Sequence, residues 1–138
     1  ANSQNSMTIA IDFDGTIVTH DYPRVGKPIP LAKEIINMLT DNGHLCFLWT
    51  MRDNETLEAA KKYCKDNGIM LCNYNMSPDQ FSNSPKQYAT IYIDDAALGC
   101  PLRYDSDMSR RPYVDWYRVA GMLTNVGLLT QEQFKSLE

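Results

Sequence analysis

Two aspartates separated by one residue, Asp12 and Asp14, have the side-chain type and spacing that could carry chemistry in this chain of 138 residues. They follow a run of β-branched and apolar residues, Ile9–Ile11, and precede Gly15 and Thr16 in the stretch TIAIDFDGTI. The pattern predicts a buried strand whose carboxyl end carries the carboxylates, followed by a sharp turn at the glycine. Residues i and i+2 of a strand point the same way, so the two carboxylates repel each other unless a cation lies between them or one holds a proton. An acidic turn that only caps a helix has the same local sequence, so the rest of the chain must decide.

The elements that must position these aspartates alternate along the chain. Leu31, Ile35, Met38 and Leu39 share one helical face, and the continuous apolar run Leu45–Trp49 is typical of a strand buried on both faces. The pattern predicts strands over Ile9–Ile11, Leu45–Trp49, Ile69–Cys72 and Thr90–Ile93, and helices over Leu31–Asn42, Glu55–Asn67, about Val114–Asn125, and Gln131–Leu137 behind a Thr130/Gln133 capping box. Such alternation predicts an α/β fold, a three-layer α/β/α Rossmann-like parallel sheet with right-handed crossovers.

Composition and charge narrow the class of protein. We expect residues 1–7 to be a disordered leader or an expression remnant and residues 8–138 to form a single domain. A net charge of −4 argues against nucleic acid as a partner, and no apolar run approaches the roughly 20 residues of a membrane span. The four cysteines lack metal-ligand spacing, which favours buried reduced thiols; with no visible signal peptide they indicate the cytoplasm.

Polar residues follow three of the predicted strands. Asp12 and Asp14 end the first, Thr50 ends the second, and the pair Asp94–Asp95 ends the fourth. Ligands of open α/β sheets bind outside the carboxyl ends of the strands, so these groups can converge. Several carboxylates in one place suit Mg²⁺, and the Thr50 hydroxyl with the ammonium of Lys86 supplies donors for an anion beside the metal. Together they describe a phosphoryl-transfer site.

The order of these motifs resembles that of the haloacid dehalogenase (HAD) superfamily of phosphohydrolases. The chain has DFDGT, a strand ending in Thr50, and Lys86 eight positions before Asp94 (94 − 86 = 8), so four motifs match in order over Ile9–Asp95. The resemblance implies a HAD-like fold and an Mg²⁺-dependent phosphatase acting on a phosphomonoester. It identifies the chemistry far better than the substrate, which could be a small molecule or larger.

The resemblance also implies a role for each matched residue. Asp12 would be the nucleophile that forms an aspartyl-phosphate, and Asp14 would protonate the leaving group and then activate water. Asp12, the main-chain carbonyl of Asp14 and Asp94 would hold Mg²⁺, while Asp95 would bind it through water or orient Lys86. The ammonium of Lys86 and the hydroxyl of Thr50 would neutralise the phosphoryl oxygens.

Three further residues are weaker candidates for contact with the substrate. The amides of Phe13 and Gly15 could donate to the phosphoryl group, and Arg52, two residues after Thr50, could touch the substrate, although an exposed arginine is the simpler interpretation. His20 and His44 have no visible partner, so the sequence assigns them no role.

The spacing of the motifs leaves no room for an inserted cap domain, so the chain resembles the capless members of the superfamily. Their large substrates, or a neighbouring subunit of a homo-oligomer, cover the site. We expect the loops Val18–Pro30, Asn73–Pro85 and Gly99–Arg111 to form the rim. The rim's basic residues could meet a second anionic group, although solvated surface charge is the simpler interpretation; they are Lys27, Arg103, Arg110 and Arg111.

Three alternatives stay open. A catalytically idle binding module could keep the fold and the residues without turnover. A phosphotransferase or phosphomutase could pass the aspartyl-phosphate to an acceptor other than water. A receiver-type phospho-acceptor domain also gathers carboxylates, a threonine and a lysine around Mg²⁺. In that family, however, the acidic pair follows the first strand and the phosphorylated aspartate comes later, the reverse of the order here.

Overall fold

Four parallel strands form the central sheet of the computed structural model, which describes residues 6–138. The strand order is β3-β2-β1-β4, and β5 and β6 form a separate antiparallel pair. The strands are β1 (Thr8–Ile11), β2 (Leu45–Leu48), β3 (Asn73–Tyr74), β4 (Ile91–Ile93), β5 (Leu102–Arg103) and β6 (Tyr113–Val114). The helices are α1 (Ala32–Asp41), α2 (Asn54–Asp66), α3 (Trp116–Asn125) and α4 (Gln131–Lys135). The predicted α/β fold with a parallel sheet flanked by helices is therefore confirmed.

The strand that ends in the aspartates lies in the middle of this sheet. All four residues of β1 are buried, and β1 pairs with β2 on one side and β4 on the other. Ile11 lies opposite Leu48 in β2 and opposite Ile93 in β4, so the three strands end level with one another. This register places Asp12, Trp49 and Asp94 at the same edge of the sheet.

The helices follow their sequence patterns closely. Ile35 and Leu39 of α1 are fully buried, as the periodicity of apolar residues predicts, whereas Leu31 and Met38 of the same predicted face are half-buried. The capping box before α4 is present: the Gln133 backbone N–H donates to the Thr130 hydroxyl at 3.0 Å, and the Gln133 side chain accepts from the Thr130 backbone N–H. Both helices are therefore well explained by local sequence.

Two predicted elements differ from the structure. The third strand lies at Asn73–Tyr74 rather than at Ile69–Cys72. The apolar Ile69 is buried in the connection that follows α2. Hydrogen bonding to β2 begins only at Cys72, whose N–H donates to the Cys46 carbonyl at 2.8 Å. The β5–β6 pair was not predicted at all, since two-residue strands carry no readable period. Its second strand occupies Val114, so α3 begins at Trp116.

The β5–β6 hairpin attaches the C-terminal part of the chain to the turn after β1. The Val114 N–H donates to the Gly15 carbonyl at 2.9 Å, and the indole N–H of the buried Trp116 donates to the Thr16 carbonyl at 2.6 Å. These bonds hold the DFDGT turn from the side opposite its own strand.

The structure tests the predictions for the N-terminal leader and for the four cysteines only in part. Residues 1–5 of the leader lie outside the described part, whereas Ser6 donates to the Gly43 carbonyl (2.9 Å) and the Met7 N–H donates to Nδ1 of His44 (3.1 Å). Within residues 6–138 all four cysteines are free; Cys46 and Cys64 are buried as predicted, but Cys72 is exposed and Cys100 half-buried. No helix in this part of the chain has the length and apolar character needed to cross a membrane.

Candidate functional site

Three of the predicted carboxylates meet at the carboxyl edge of the sheet. One oxygen each from Asp12, Asp94 and Asp95 lies within 4.8 Å of the other two, and all three residues are half-buried. The parallel register of β1 and β4 brings them together, and the Asp12 N–H donates to the Ile93 carbonyl at 3.0 Å. We call these three residues the acidic cluster. Its donor set, oxygen only, suits a hard divalent cation.

The acidic cluster carries negative charge that the chain does not balance. Burial raises the pKa of Asp12 to about 9, and the neighbouring carboxylate of Asp94 acts in the same direction, while the Phe13 backbone N–H acts against it. Burial also raises the pKa of Asp94. Within residues 6–138 no lysine or arginine forms an ion pair with any member of the cluster. A proton or a cation must therefore supply the missing positive charge.

The residues present fit a magnesium ion. The main-chain carbonyl of Asp14 accepts no backbone or side-chain hydrogen bond from the described residues, so its oxygen is free to take another partner. Three carboxylates and one carbonyl are the hard oxygen ligands that Mg²⁺ takes in proteins, with water completing the shell.

Asp14, two residues after Asp12, has a different partner. Arg52 donates to both of its carboxylate oxygens, from Nε to Oδ2 at 2.8 Å and from Nη2 to Oδ1 at 2.7 Å. This paired, parallel geometry is the strongest that an arginine and a carboxylate can form. The Asp14 charge is thus balanced by the chain itself.

Arg52 is held as firmly as it holds Asp14. Its side chain is only 1% exposed, and its remaining guanidinium N–H groups donate to three main-chain carbonyls, those of Pro23 (3.1 Å), Arg24 (2.6 Å) and Thr56 (3.1 Å). An exposed arginine was the simpler interpretation of the sequence, and the structure contradicts it. The only sequence signal is the position of Arg52 two residues after Thr50, close to the end of a buried strand.

Two aromatic rings complete the surroundings of Arg52. Its guanidinium carbon lies 5.0 Å from the centre of the buried Phe13 ring and 5.2 Å from that of Tyr22, which is 56% exposed. Such cation–π contacts favour a charged arginine in a site with little water. We call Asp14 and Arg52, with the carbonyls that hold the guanidinium, the arginine clamp.

Thr50 lies at the predicted edge, and a loop asparagine fixes it there. The Thr50 N–H donates to Oδ1 of Asn75 at 2.8 Å, and its hydroxyl accepts from the Arg52 N–H at 3.1 Å. The Asn75 side-chain amide also donates to the Arg52 carbonyl at 3.2 Å. Sequence reasoning missed Asn75, which lies in a loop without a readable pattern. The structure gives no direct contact between Thr50 and the acidic cluster.

Lys86 is the predicted residue that the structure does not bring to the cluster. It is exposed, and its ammonium lies 5.4 Å from the centre of the Tyr92 ring. Among residues 6–138 it forms no ion pair with Asp95 or with any other carboxylate. Lys86 is thus not paired with Asp95 here, and its contact with a phosphoryl group stays a prediction.

The two predicted amide donors differ in availability. The Gly15 N–H donates to the Val18 carbonyl at 2.7 Å within the turn and is not free for a substrate. The Phe13 N–H faces the Asp12 carboxylate instead. Neither amide points at an open phosphoryl position, so the loop after β1 uses both donors internally.

His20, to which the sequence assigned no role, contacts the acidic cluster. Its Nε2 lies 2.9 Å from Oδ2 of Asp95, and both side chains are about one-tenth exposed. Gly15 makes this approach possible: it has a positive φ of 84°, and a Cβ there would lie 2.2 Å from Nε2 of His20 and 2.4 Å from Oδ2 of Asp95. The glycine of DFDGT therefore permits both the turn and the histidine–aspartate contact.

A parallel α/β sheet with an acidic cluster at its carboxyl edge, whose oxygens are close enough together to hold a metal ion, thus describes the class of this protein. The chain is similar to a solved structure of a conserved protein from Bacteroides thetaiotaomicron, with 35% sequence identity and a TM-score of 0.72. The match covers 88% of this chain and 93% of that one, so the chain belongs to the same family as the Bacteroides protein. Neither a protein-family model nor a curated protein sequence matches the chain.

Proposed function

We propose that this protein is a capless, Mg²⁺-dependent phosphatase of the HAD superfamily that hydrolyses a phosphomonoester. The observation that carries the proposal is the acidic cluster: Asp12, Asp94 and Asp95 converge from two adjacent strand ends, and no lysine or arginine of residues 6–138 pairs with them. Asp14 follows two residues after Asp12, in the order of the superfamily's first motif. Mg²⁺ held by the cluster and the Asp14 carbonyl would neutralise charge on the phosphoryl oxygens.

The first step of the proposed reaction uses both aspartates of the DFDGT turn. A carboxylate oxygen of Asp12 attacks phosphorus, the bond between phosphorus and the leaving oxygen breaks, and Asp14 gives its proton to that oxygen. The product of this step is an aspartyl-phosphate on Asp12 together with a free alcohol.

The second step restores the enzyme. Water attacks phosphorus and gives a proton to Asp14, while the bond between phosphorus and the Asp12 oxygen breaks. Inorganic phosphate leaves, Asp12 is again a carboxylate and Asp14 is again protonated. Arg52 keeps Asp14 beside Asp12 throughout, which supplies the positioning on which phosphoryl transfer depends.

A catalytically idle binding module is a second candidate, and two observations favour it. Both oxygens of Asp14 accept hydrogen bonds from Arg52, which opposes its use as an acid. Lys86 lies against Tyr92 rather than beside the acidic cluster. A module of this kind would bind Mg²⁺ and a phosphorylated partner without turnover.

Replacing the nucleophile separates the two candidates. We expect wild-type protein to release phosphate from p-nitrophenyl phosphate and simple alkyl phosphates only with Mg²⁺. Asp12→Asn keeps the shape but removes the attacking oxygen, so kcat should fall roughly 10³-fold or more. Asp41→Asn, at the exposed end of α1, is the matched control and should retain activity.

Other results of the phosphate-release assay would support other descriptions of the protein. If Asp12→Asn is as active as wild type, the proposed mechanism is wrong. If no substrate is turned over while calorimetry still detects Mg²⁺ binding that Asp12→Asn weakens, the idle module is the better description. Transfer of phosphate to an added alcohol, in place of release to water, would identify a phosphotransferase.

A further inference from the structure

A cleft of about 380 Å³ opens directly beside the acidic cluster. His20 belongs to both places, because it lines the cleft and its Nε2 contacts Oδ2 of Asp95. Two separate segments form the walls: the loop that follows the DFDGT turn, with Asp21 and Lys27, and the hairpin turn between β5 and β6, with Ser109 and Arg110. His20 therefore connects this cleft to the acidic cluster.

The first wall is a closed loop with a fixed conformation. The Thr19 N–H donates to the Lys27 carbonyl at 2.8 Å, and the Lys27 N–H donates to the Thr19 hydroxyl at 2.9 Å. Gly26 lies so close to this pair that a Cβ there would be 2.1 Å from the Thr19 carbonyl oxygen. The backbone that presents Lys27 is thus set in place, while its side chain is exposed to the cleft.

The second wall is tied to the same turn. The buried Ser109 hydroxyl donates to the Arg111 carbonyl at 2.8 Å. Strand β6 begins two residues after Arg111, at Tyr113, and the N–H of its second residue, Val114, donates to the Gly15 carbonyl. Arg110, the next residue after Ser109, is exposed and lines the cleft together with Lys27 of the first wall.

Both cations of the cleft lack an acidic partner. Within residues 6–138 neither Lys27 nor Arg110 forms an ion pair, while the acidic residue of the lining, Asp21, is already paired with Arg24 at 3.0 Å. The Arg24 hydrogen bond lowers the pKa of Asp21, and the charge of Arg110 adds to that effect, which places Arg110 within electrostatic reach of the cleft wall. The cleft therefore offers two unpaired positive groups next to a cluster that attracts a metal-bound phosphate.

We infer that the substrate carries a second anionic group, a carboxylate or another phosphate, which Lys27 and Arg110 bind while the phosphoryl group lies at Asp12. This inference rests on the proposed phosphatase function and adds a substrate class to it. Arg and Lys side chains donate strong, charge-assisted hydrogen bonds to such anions, and pairing would use the charge that the cleft leaves unbalanced.

Matched substrates of graded length test the inference. We would measure kcat/KM for ω-carboxyalkyl phosphates with two to six methylene groups, and for alkyl phosphates of the same lengths. Wild-type protein should prefer the carboxylated member by roughly 10-fold or more at one chain length, because that length spans the distance from Asp12 to the cleft. Alkane α,ω-bisphosphates compared with the carboxylates show whether the second group is a phosphate.

Variants then locate the preference. Lys27→Met and Arg110→Gln should each reduce the ratio of kcat/KM between matched substrates roughly 10-fold, and the double variant should bring it close to one. Arg111→Gln is the matched control, since this neighbouring arginine does not line the cleft, and it should keep the wild-type ratio. Added salt should lower the ratio as well, because exposed charges are screened.

The inference and the phosphatase proposal can fail separately. A wild-type ratio near one at every length, or an equal ratio in wild type and the double variant, overturns the second anion site even if turnover is fast. If no phosphate ester is hydrolysed, calorimetry with ω-carboxyalkyl and alkyl phosphonates in the presence of Mg²⁺ tests the site without chemistry. Equal affinity for the two phosphonates would then overturn it, and roughly 10-fold tighter binding of the carboxylated one, lost in the double variant, would support it.

Discussion

Asp12 and Asp14 lie in the same turn, two residues apart, yet the chain treats their charges in opposite ways. Asp12 belongs to the acidic cluster, where no arginine or lysine of the described residues pairs with it and burial raises its pKa to about 9. Asp14 belongs to the arginine clamp, where a buried guanidinium donates to both of its oxygens. One carboxylate is balanced permanently, and the other is left for a mobile proton or cation.

The two settings leave the two carboxylates free to different degrees. A carboxylate whose oxygens both accept from a buried arginine is held in one position, whereas a carboxylate without an arginine or lysine partner keeps its oxygens available for a metal ion, at the expense of stability. The comparison predicts that the two regions respond differently to substitution, pH and Mg²⁺.

Breaking the arginine clamp should have the largest effect. Arg52→Met leaves the Asp14 charge and three main-chain carbonyls without their donor in a buried place, so the free energy of unfolding should fall by about 3–5 kcal/mol. Chemical denaturation monitored by circular dichroism measures this change. In the double variant with Asp14→Asn, part of the loss should be recovered, because no buried charge remains unpaired.

A surface pair supplies the control for the clamp. Arg24 and Asp21 form the same type of contact at 3.0 Å, but their side chains are 80% and 41% exposed. Arg24→Met should therefore lower the free energy of unfolding far less than Arg52→Met does. Similar losses for Arg24→Met and Arg52→Met would mean that burial of the clamp contributes nothing, and the contrast between the two regions would be lost.

The acidic cluster should reveal itself through pH. In metal-free protein the pKa of Asp12 is raised from 3.8 to about 9, so the folded state holds a proton that the unfolded chain has released. The stabilisation of the folded state by the proton on Asp12 is fully present below about pH 4 and is lost as the pH rises through about 9. The free energy of unfolding should fall by up to about 1.4 kcal/mol per pH unit in that range.

Two changes should each reduce the dependence of the free energy of unfolding on pH: saturating Mg²⁺ and the Asp12→Asn substitution. Saturating Mg²⁺ replaces the proton as the balancing charge, and Asp12→Asn removes the titrating group. Denaturation midpoints from pH 5 to 8, with and without Mg²⁺, measure both effects. A metal-free protein whose stability does not fall over this range would contradict the description of the cluster as unbalanced.

Lys86→Gln should have the smallest effect and tests whether the cluster has a fixed cation after all. The ammonium lies over Tyr92, so kcat/KM for an alkyl phosphate should change less than about 3-fold. Lys62→Gln on the surface of α2 is a suitable comparison. A loss of roughly 100-fold, as expected for removal of a phosphoryl-binding donor, would show that Lys86 reaches the phosphoryl group during turnover.

Sequence alone predicted most of the sheet and the acidic half of the site. The apolar runs of β1, β2 and β4 identify the strands, and the rule that strand ends share an edge brings Asp12 together with Asp94 and Asp95. These features are local in the chain or follow from parallel topology. They can be read without knowing any side-chain contact.

The remaining features depend on contacts between distant residues. The sequence predicts Arg52 to be a surface residue, because its contacts with the carbonyls of Pro23 and Arg24 appear only in the structure. In the same way, only the structure shows that His20 lies 2.9 Å from Asp95. The two-residue strands of the β5–β6 hairpin are too short for periodicity to show. The positions of two distant residues in the sequence do not indicate that their side chains will be in contact.

The bond from the Trp116 indole to the Thr16 carbonyl joins residues that are 100 positions apart. During synthesis on the ribosome, the DFDGT turn emerges early, whereas the side chain that locks it emerges only after both acidic strand ends have been made. A nascent chain that stops short of Trp116 therefore has every carboxylate of the acidic cluster but lacks the bond that fixes their turn. The turn that presents Asp12 therefore gains this bond only once the chain has been made as far as Trp116, the first residue of α3.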